Sequence, residues 1–279
     1  MPGFLGSEQR RVKSEQNKKL KTQNSKLITT DMWRQFTIAL SFLTIFRLPV
    51  SGEISPRDLG RCYACFPVVG LLVGLITCLM VLLLQALMPP LLLAAWACAF
   101  MTFVTRGFHL DGLADLADGI GGGYTAEKRL EIMKDSATGA FGSLALILAI
   151  LLKTSAIYSL IMAKSWIVLA VVPAMGRFAI VVGAYKSSCA RTGGLAKSSI
   201  EYVTGGTVLA AAAFAVVLTL LLVPKFAPAF IGAATLSSLL VRALAHRFLG
   251  GVTGDVLGAV NEITEVLLFT LSACFAYRL

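Results

Sequence analysis

From Cys62 to Thr105 the chain carries no charged side chain. That stretch is more than twice the roughly 20 apolar residues a helix needs to cross a hydrocarbon core about 30 Å thick. Composition agrees: 57% of residues are apolar and 14% charged, against roughly 45–50% and 25% in soluble domains. A water-soluble domain, a disordered chain and a disulfide scaffold are excluded. The expectation is an all-α polytopic integral membrane helix bundle with about seven transmembrane helices. Apolar runs place spans near 63–88, 91–105, 139–163, 166–185, 204–223, 228–245 and 260–277. The apolar segment from Phe36 to Phe46 is too short to cross and is expected to lie in the interface or re-enter, with Trp33 at headgroup level.

Orientation follows from Lys and Arg, which cytoplasmic loops retain. The first 34 residues hold eight basic and three acidic groups, so residues 1–34 read as a flexible basic cytoplasmic tail attracted to anionic lipid. Residues 35–279 then form a single transmembrane catalytic domain. With the N-terminus cytoplasmic, the non-cytoplasmic connections keep only Lys164, Lys225 and Arg278. Every acidic residue from Glu53 to Glu265 then falls in a cytoplasmic loop or at a cytoplasmic helix end, although acids were not used to set the topology. The chain is therefore expected in the cytoplasmic (inner) membrane, multi-pass, with its chemistry facing the cytoplasm. No cleavable signal peptide is expected, nor a nucleic-acid partner. Cys62 and Cys65 form a lone CxxC without a second pair to complete a zinc site, and read as helix-packing residues.

The chemistry concentrates in RGFHLDGLADLADGIGGG (106–123), running on to RLEIMKDS (129–136) and GAFG (139–142). Asp111, Asp115 and Asp118 are spaced i, i+4, i+7, which stacks three carboxylates on one helical face. Like charges so placed repel, and a divalent cation would compensate. Carboxylates without clustered His or Cys suit Mg²⁺ or Mn²⁺, and Mg²⁺ usually takes one or two carboxylates with substrate phosphates completing its shell. The substrate is thus expected to be phosphorylated. Gly121 and Gly122, beside Gly119 and Gly123, together with Gly139 and Gly142 at the next helix start, offer backbone N–H groups for a phosphate cradle, and Arg106, Arg129 and Lys134 add positive charge. Any one of these acids alone reads as an ordinary solvated loop residue; the cluster does not.

A second acidic stretch, TGDVLGAVNE (253–262) with Glu265 beyond, puts Asp255 and Glu262 on one helical face and carries acids into the lipid zone, where they need interior partners. His109 is a candidate proton acceptor or phosphate ligand, with a packing role equally open. Arg177 lies inside a span and is expected to face the interior as a phosphate ligand or a carboxylate partner. Lys153 and His246 receive no role.

HLDGLADLADG (109–119), RLEIMKDS, GAFG and TGDVLGAVNE closely resemble the cobalamin synthase family, the adenosylcobinamide-GDP ribazoletransferases; TIFRLP (44–49) and FPVVG (66–70) are similar to its N-terminal region. The resemblance covers about residues 36–279 and leaves the basic leader outside. It implies a Mg²⁺-dependent membrane transferase that joins adenosylcobinamide-GDP to α-ribazole 5′-phosphate or α-ribazole and releases GMP. In that frame Asp111, Asp115 and Asp118 hold the metal, Asp135, Asp255 or Glu262 completes its shell or orients the nucleophile, and Arg106, Arg129 and Lys134 neutralise phosphate. Expected partners are the corrinoid-GDP and ribazole substrates and membrane lipid, with a homo-oligomer or a complex with other cobalamin-assembly enzymes left open.

Two other readings compete. DLADG (115–119) resembles the opening of the CDP-alcohol phosphotransferase motif, but the Ala-Arg pair expected shortly after it is missing. A cation transporter would place its acids near the midplane between broken helices, whereas these collect towards one membrane face, and no internal repeat is evident.

Overall fold

The computed structural model describes residues 31–191 and 195–277. The expected tail over residues 1–30 lies outside the described residues, and its expected boundary at 34 falls inside a helix, α1 (31–43). Arg34 is the reason: it donates to the carbonyls of Ser51 and Glu53 and to the Asp58 carboxylate at 3.1 Å, tying α1 to the chain that follows. Ile38, Leu40 and Leu43 of α1 are buried.

The remaining helices are α2 (Pro56–Cys62), which runs through a 3₁₀ turn into α3 (Phe66–Leu84), then α4 (Pro90–Val104), α5 (Phe108–Gly122), α6 (Ala126–Ile132), α7 (Ala140–Met162), α8 (Ile167–Ala184), α9 (Leu195–Ile200), α10 (Gly205–Leu222), α11 (Ala227–Leu249) and α12 (Gly254–Tyr277). Among the described residues β pairing is confined to one isolated bridge, Cys189 with Val252. Six of the helical segments are long and apolar enough to cross a membrane, and α4 with α5 makes a seventh if that bent pair is one span.

Helix α8 is the axis of the bundle: 89% of its apolar window is buried, against 28–39% for Pro56–Leu84, α7, α10 and the segment containing α11. Gly70 and Gly74 bring α3 against the backbone of Pro173, Leu169 and Ala170 on α8, where a Cβ would meet main-chain atoms at 2.4–2.8 Å. Small residues at such crossings let dispersion contacts, rather than a hydrophobic effect, hold membrane helices together. The outer helices leave Leu79, Leu83, Leu144, Leu151, Leu221, Leu236 and Leu240 exposed, a lipid-facing skin.

The expected span 91–105 is the one the structure reshapes. Helix α4 has 15 residues, about 22 Å at 1.5 Å per residue, and α5 turns away from it by 89°. Two consecutive residues with positive φ, Arg106 (57°) and Gly107 (66°), make the corner, closed by Gly107 N–H donating to Thr102 O at 2.8 Å in the manner of a Schellman cap. The corner aims the aspartate-bearing helix across α7 and α12. Following the alternating crossings, α2, α5, α6, α9 and the α11–α12 turn share one end of the bundle, where α2 meets α9 and α6 meets α11.

Candidate active site

Asp111, Asp115 and Asp118 do lie on one face of α5, and their burial is graded: Asp111 is exposed, Asp115 half-buried and Asp118 buried. Gly112 permits this placement, because a Cβ there would meet the Asp255 backbone at 2.5 Å; α5 and α12 thus cross in backbone contact and bring Asp255 beside the aspartate row. Opposite stands Arg191, which pairs with Asp255 at 2.9 Å. It is delivered by the bridge after α8, where Ala190 N–H donates to Val252 O and Val252 N–H to Ser188 O, each at 2.9 Å. The Asp111 and Asp255 carboxylates repel charge on Asp115, and Arg191 partly offsets them. Among the described residues, neither Asp111 nor Asp115 accepts a hydrogen bond or pairs with a cation.

Asp118 is engaged differently. Its Oδ2 accepts from Gly139 N–H at 2.7 Å and its Oδ1 from Gly142 N–H at 2.8 Å, so a residue of α5 caps the N-terminus of α7, whose own N-cap, Gly139, has no side chain to do so. The two glycines of GAFG therefore do bind an anion as their sequence suggests, but the anion is the protein's own carboxylate. Replacing Asp118 by alanine is expected to cost ~1–2 kcal/mol, the usual value of a lost N-cap, read as a lowered Tm of the purified protein in detergent. An unchanged Tm would remove the capping role.

The other expected phosphate ligands separate from this cluster. Gly121 and Gly122 are not in an open loop but in the last turn of α5, and a Cβ on Gly121 would strike the Phe141 ring at 2.5 Å. Arg129 donates to the carbonyls of Gly123 and Phe248 and stacks over the Phe248 ring, fastening α6 to the end of α11. Arg106 donates to Phe42 O at 3.1 Å. Lys134 is exposed, and Asp135 turns back to accept from Ala137 N–H.

His109, Arg177 and Glu262 are brought together, but in a buried network beneath the aspartates. Lys153 on α7 bonds Glu262 at 3.0 Å and Glu265 at 2.7 Å. Arg177 on α8 pairs with Glu265 and reaches His109 Nδ1 at 3.3 Å, and Asn261 donates to both glutamates. The four charged side chains are no more than 6% exposed. Two positive and two negative charges cancel, which is what burial at membrane depth requires. Arg177 is thus the carboxylate partner of the two roles open to it. Sequence reasoning missed Lys153, although a signal existed: a lysine and two glutamates in different apolar spans must find one another. Arg191 carried no such signal, because only the bridge to Val252 places it.

Beside Asp255 and Arg191 lies a cavity of about 240 Å³, walled by Phe42, Phe66, Phe108 and His109. Among the described residues no three His, Cys, Asp or Glu side chains are arranged to hold a metal ion by themselves. The donor set still fits Mg²⁺, which binds through one or two hard carboxylates and leaves its remaining positions to water and phosphate; Asp111 and Asp115, neither paired with a cation among the described residues, are such a pair.

The family model described as Cobalamin-5-phosphate synthase matches residues 35–273. Proteins named adenosylcobinamide-GDP ribazoletransferase are similar over most of their length: that of Syntrophobacter fumaroxidans is 46% identical over 246 residues, covering 87% of this chain and 99% of the relative. That of Geotalea daltonii is 38% identical over 243 residues (87% and 98%), and that of Chlorobaculum tepidum 39% over 234 (82% and 92%). No solved structure matches the chain.

Proposed function

The chain belongs to the cobalamin-5-phosphate synthase family, and from that premise we propose that it carries out the reaction its relatives are named for. It joins adenosylcobinamide-GDP to α-ribazole 5′-phosphate, or to α-ribazole, and releases GMP, the last step in assembling the nucleotide loop of cobalamin. The observation that carries the site assignment is the convergence of Asp111, Asp115, Asp255 and Arg191 from three separate segments at one end of the bundle.

Chemically, a ribazole hydroxyl oxygen bonds to the cobinamide-linked phosphorus, the bridging P–O bond to GMP breaks, and the hydroxyl proton leaves. Asp111 and Asp115 would hold Mg²⁺ (or Mn²⁺), and when bound the ion neutralises the diphosphate and the departing GMP. Arg191, with its Nε unpartnered, neutralises phosphate oxygen. Asp255, held by Arg191 and by the Thr253 hydroxyl at 3.3 Å, orients the nucleophile and accepts its proton. Asp118 positions the row by anchoring α5 to α7. The Lys and Arg distribution supports a cytoplasmic-membrane location with this end inward.

In the direct test, purified protein in detergent receives adenosylcobinamide-GDP, α-ribazole 5′-phosphate and Mg²⁺. GMP and a corrinoid carrying the lower nucleotide should appear in equal amounts. Chelation with EDTA should bring the rate to background and excess Mg²⁺ restore it. Metal-insensitive turnover would remove the ion from the mechanism, and no GMP release at all would remove the activity.

A further inference from the structure

We propose that the cavity beside Asp255 seats the base of the ribazole substrate, and that it selects a largely apolar bicyclic base with a single free ring nitrogen over a purine. The inference rests on the transferase reading of the adjoining site.

Three observations carry it. First, size: at about 240 Å³ the cavity falls below the roughly 300–1,000 Å³ of sites that enclose drug-sized ligands, so it admits one fused ring system and not a corrin. Second, the wall is aromatic and continuous. Tyr63 stacks on Phe66 with centroids 4.3 Å apart, Phe66 on Phe42 at 6.0 Å, and Phe108 meets Phe42 edge-on at 5.7 Å. Such a surface receives a flat ring by stacking.

Third, the polar groups are few and nearly all engaged. The Tyr63 hydroxyl is hydrogen-bonded with Ser199 at 3.2 Å, and Thr253 and Asp255 are bonded to one another on the side that faces Arg191. His109 is 1% exposed and its Nε2 has no partner. Its tautomer follows from its neighbour: an arginine nitrogen only donates, so Nδ1, 3.3 Å from Arg177 Nη2, must accept, which leaves the proton on Nε2. Besides Arg191, whose unpartnered Nε belongs to the reacting end, the cavity wall thus offers one buried N–H donor, on His109.

A benzimidazole joined to ribose through one nitrogen has a single remaining acceptor, and that donor satisfies it. Guanine or adenine would bring several polar edge atoms against phenylalanine, each unpaired and each penalised. His109 is therefore a specificity-determining contact to substrate rather than the general base. With the base so placed, its ribose and phosphate lie towards Asp255 and Arg191.

Cys189 also lines the cavity, which gives a readout on the wild-type protein independent of turnover. N-ethylmaleimide labelling is followed by peptide mass spectrometry, with exposed Cys274 as the reference. Free 5,6-dimethylbenzimidazole and α-ribazole 5′-phosphate should each slow Cys189 labelling about tenfold at saturation, a modest pocket-scale effect, while ribose 5-phosphate and GMP leave it unchanged. In steady-state kinetics, His109→Phe and Phe108→Leu should raise KM for α-ribazole 5′-phosphate about tenfold with KM for adenosylcobinamide-GDP unaltered. His109→Gln, which restores an N–H donor, should recover part of the loss. Protection by GMP rather than by the free base, or variants that raise KM for the corrinoid instead, would overturn the assignment. Protection by the base in a protein that releases no GMP would uphold the pocket and sink the transferase reading; turnover with Cys189 unprotected by the base would sink the pocket alone.

Discussion

Asp115→Asn should abolish metal-dependent GMP release, lowering the rate on the order of 10³-fold, ~4 kcal/mol in the barrier, while the protein stays folded. Asparagine keeps the shape and one oxygen of the side chain and removes the charge. Among the described residues nothing in the fold bonds Asp115, and its neighbours Asp111 and Asp255 repel it, so losing its charge relieves strain in the apoprotein. The expected Tm is therefore equal to or slightly above wild type. That sign separates a residue kept for binding a cation from one kept for stability, and it is opposite to the result expected for Asp118→Ala, where a cap is lost. Full activity in Asp115→Asn would remove the aspartate row from the reaction; a collapse in Tm would mean that the carboxylate is structural.

The second large effect concerns stability. Lys153→Met should destabilise the protein by about 3–5 kcal/mol, the typical penalty for removing one partner of a buried ion pair. Methionine fills much of the lysine stem's volume, so packing is nearly preserved. The loss arises because, among the described residues, Glu262 and Glu265 are left with Arg177 as their single cation, a net negative charge where water scarcely reaches. Thermal unfolding in detergent and the steady-state level in membranes both report it. Adding Glu262→Gln to Lys153→Met restores neutrality and should recover most of the lost Tm. A double variant no more stable than the single one would show that packing, not charge balance, sets the cost.

The network and the aspartate row also explain why the expected site divided. Asp115 was selected by its place in a row of like charges, and Arg177 and Glu262 by a charge within an apolar span; neither criterion tells a ligand for substrate from a partner for another side chain. Glu262 and Arg177 have protein partners within the bundle; Asp111 and Asp115 have none among the described residues. Gly121 and Gly122 were read as part of a phosphate cradle because glycines can offer their backbone N–H groups, yet α5 continues to Gly122, with Phe141 and Ile132 close enough to fill the space side chains would need. Gly139 and Gly142 were read as N–H donors for substrate phosphate, and in the structure those two N–H groups are taken by the Asp118 carboxylate.

The uncharged run from Cys62 to Thr105 and the other long apolar runs were sufficient to establish a polytopic helical membrane protein, and the i, i+4, i+7 spacing to put three aspartates on one face of a helix. These are local properties: hydrophobic length and helical periodicity depend on residues a few positions apart. The 89° corner at Arg106–Gly107, the crossing at Gly112, the arrival of Arg191 opposite Asp255 and the pairing of Lys153 with glutamates more than a hundred residues away were decided only by the tertiary structure. Each depends on which helices become neighbours, and apolar surfaces that are alike to lipid do not specify that pairing until small residues and buried charges have found their partners.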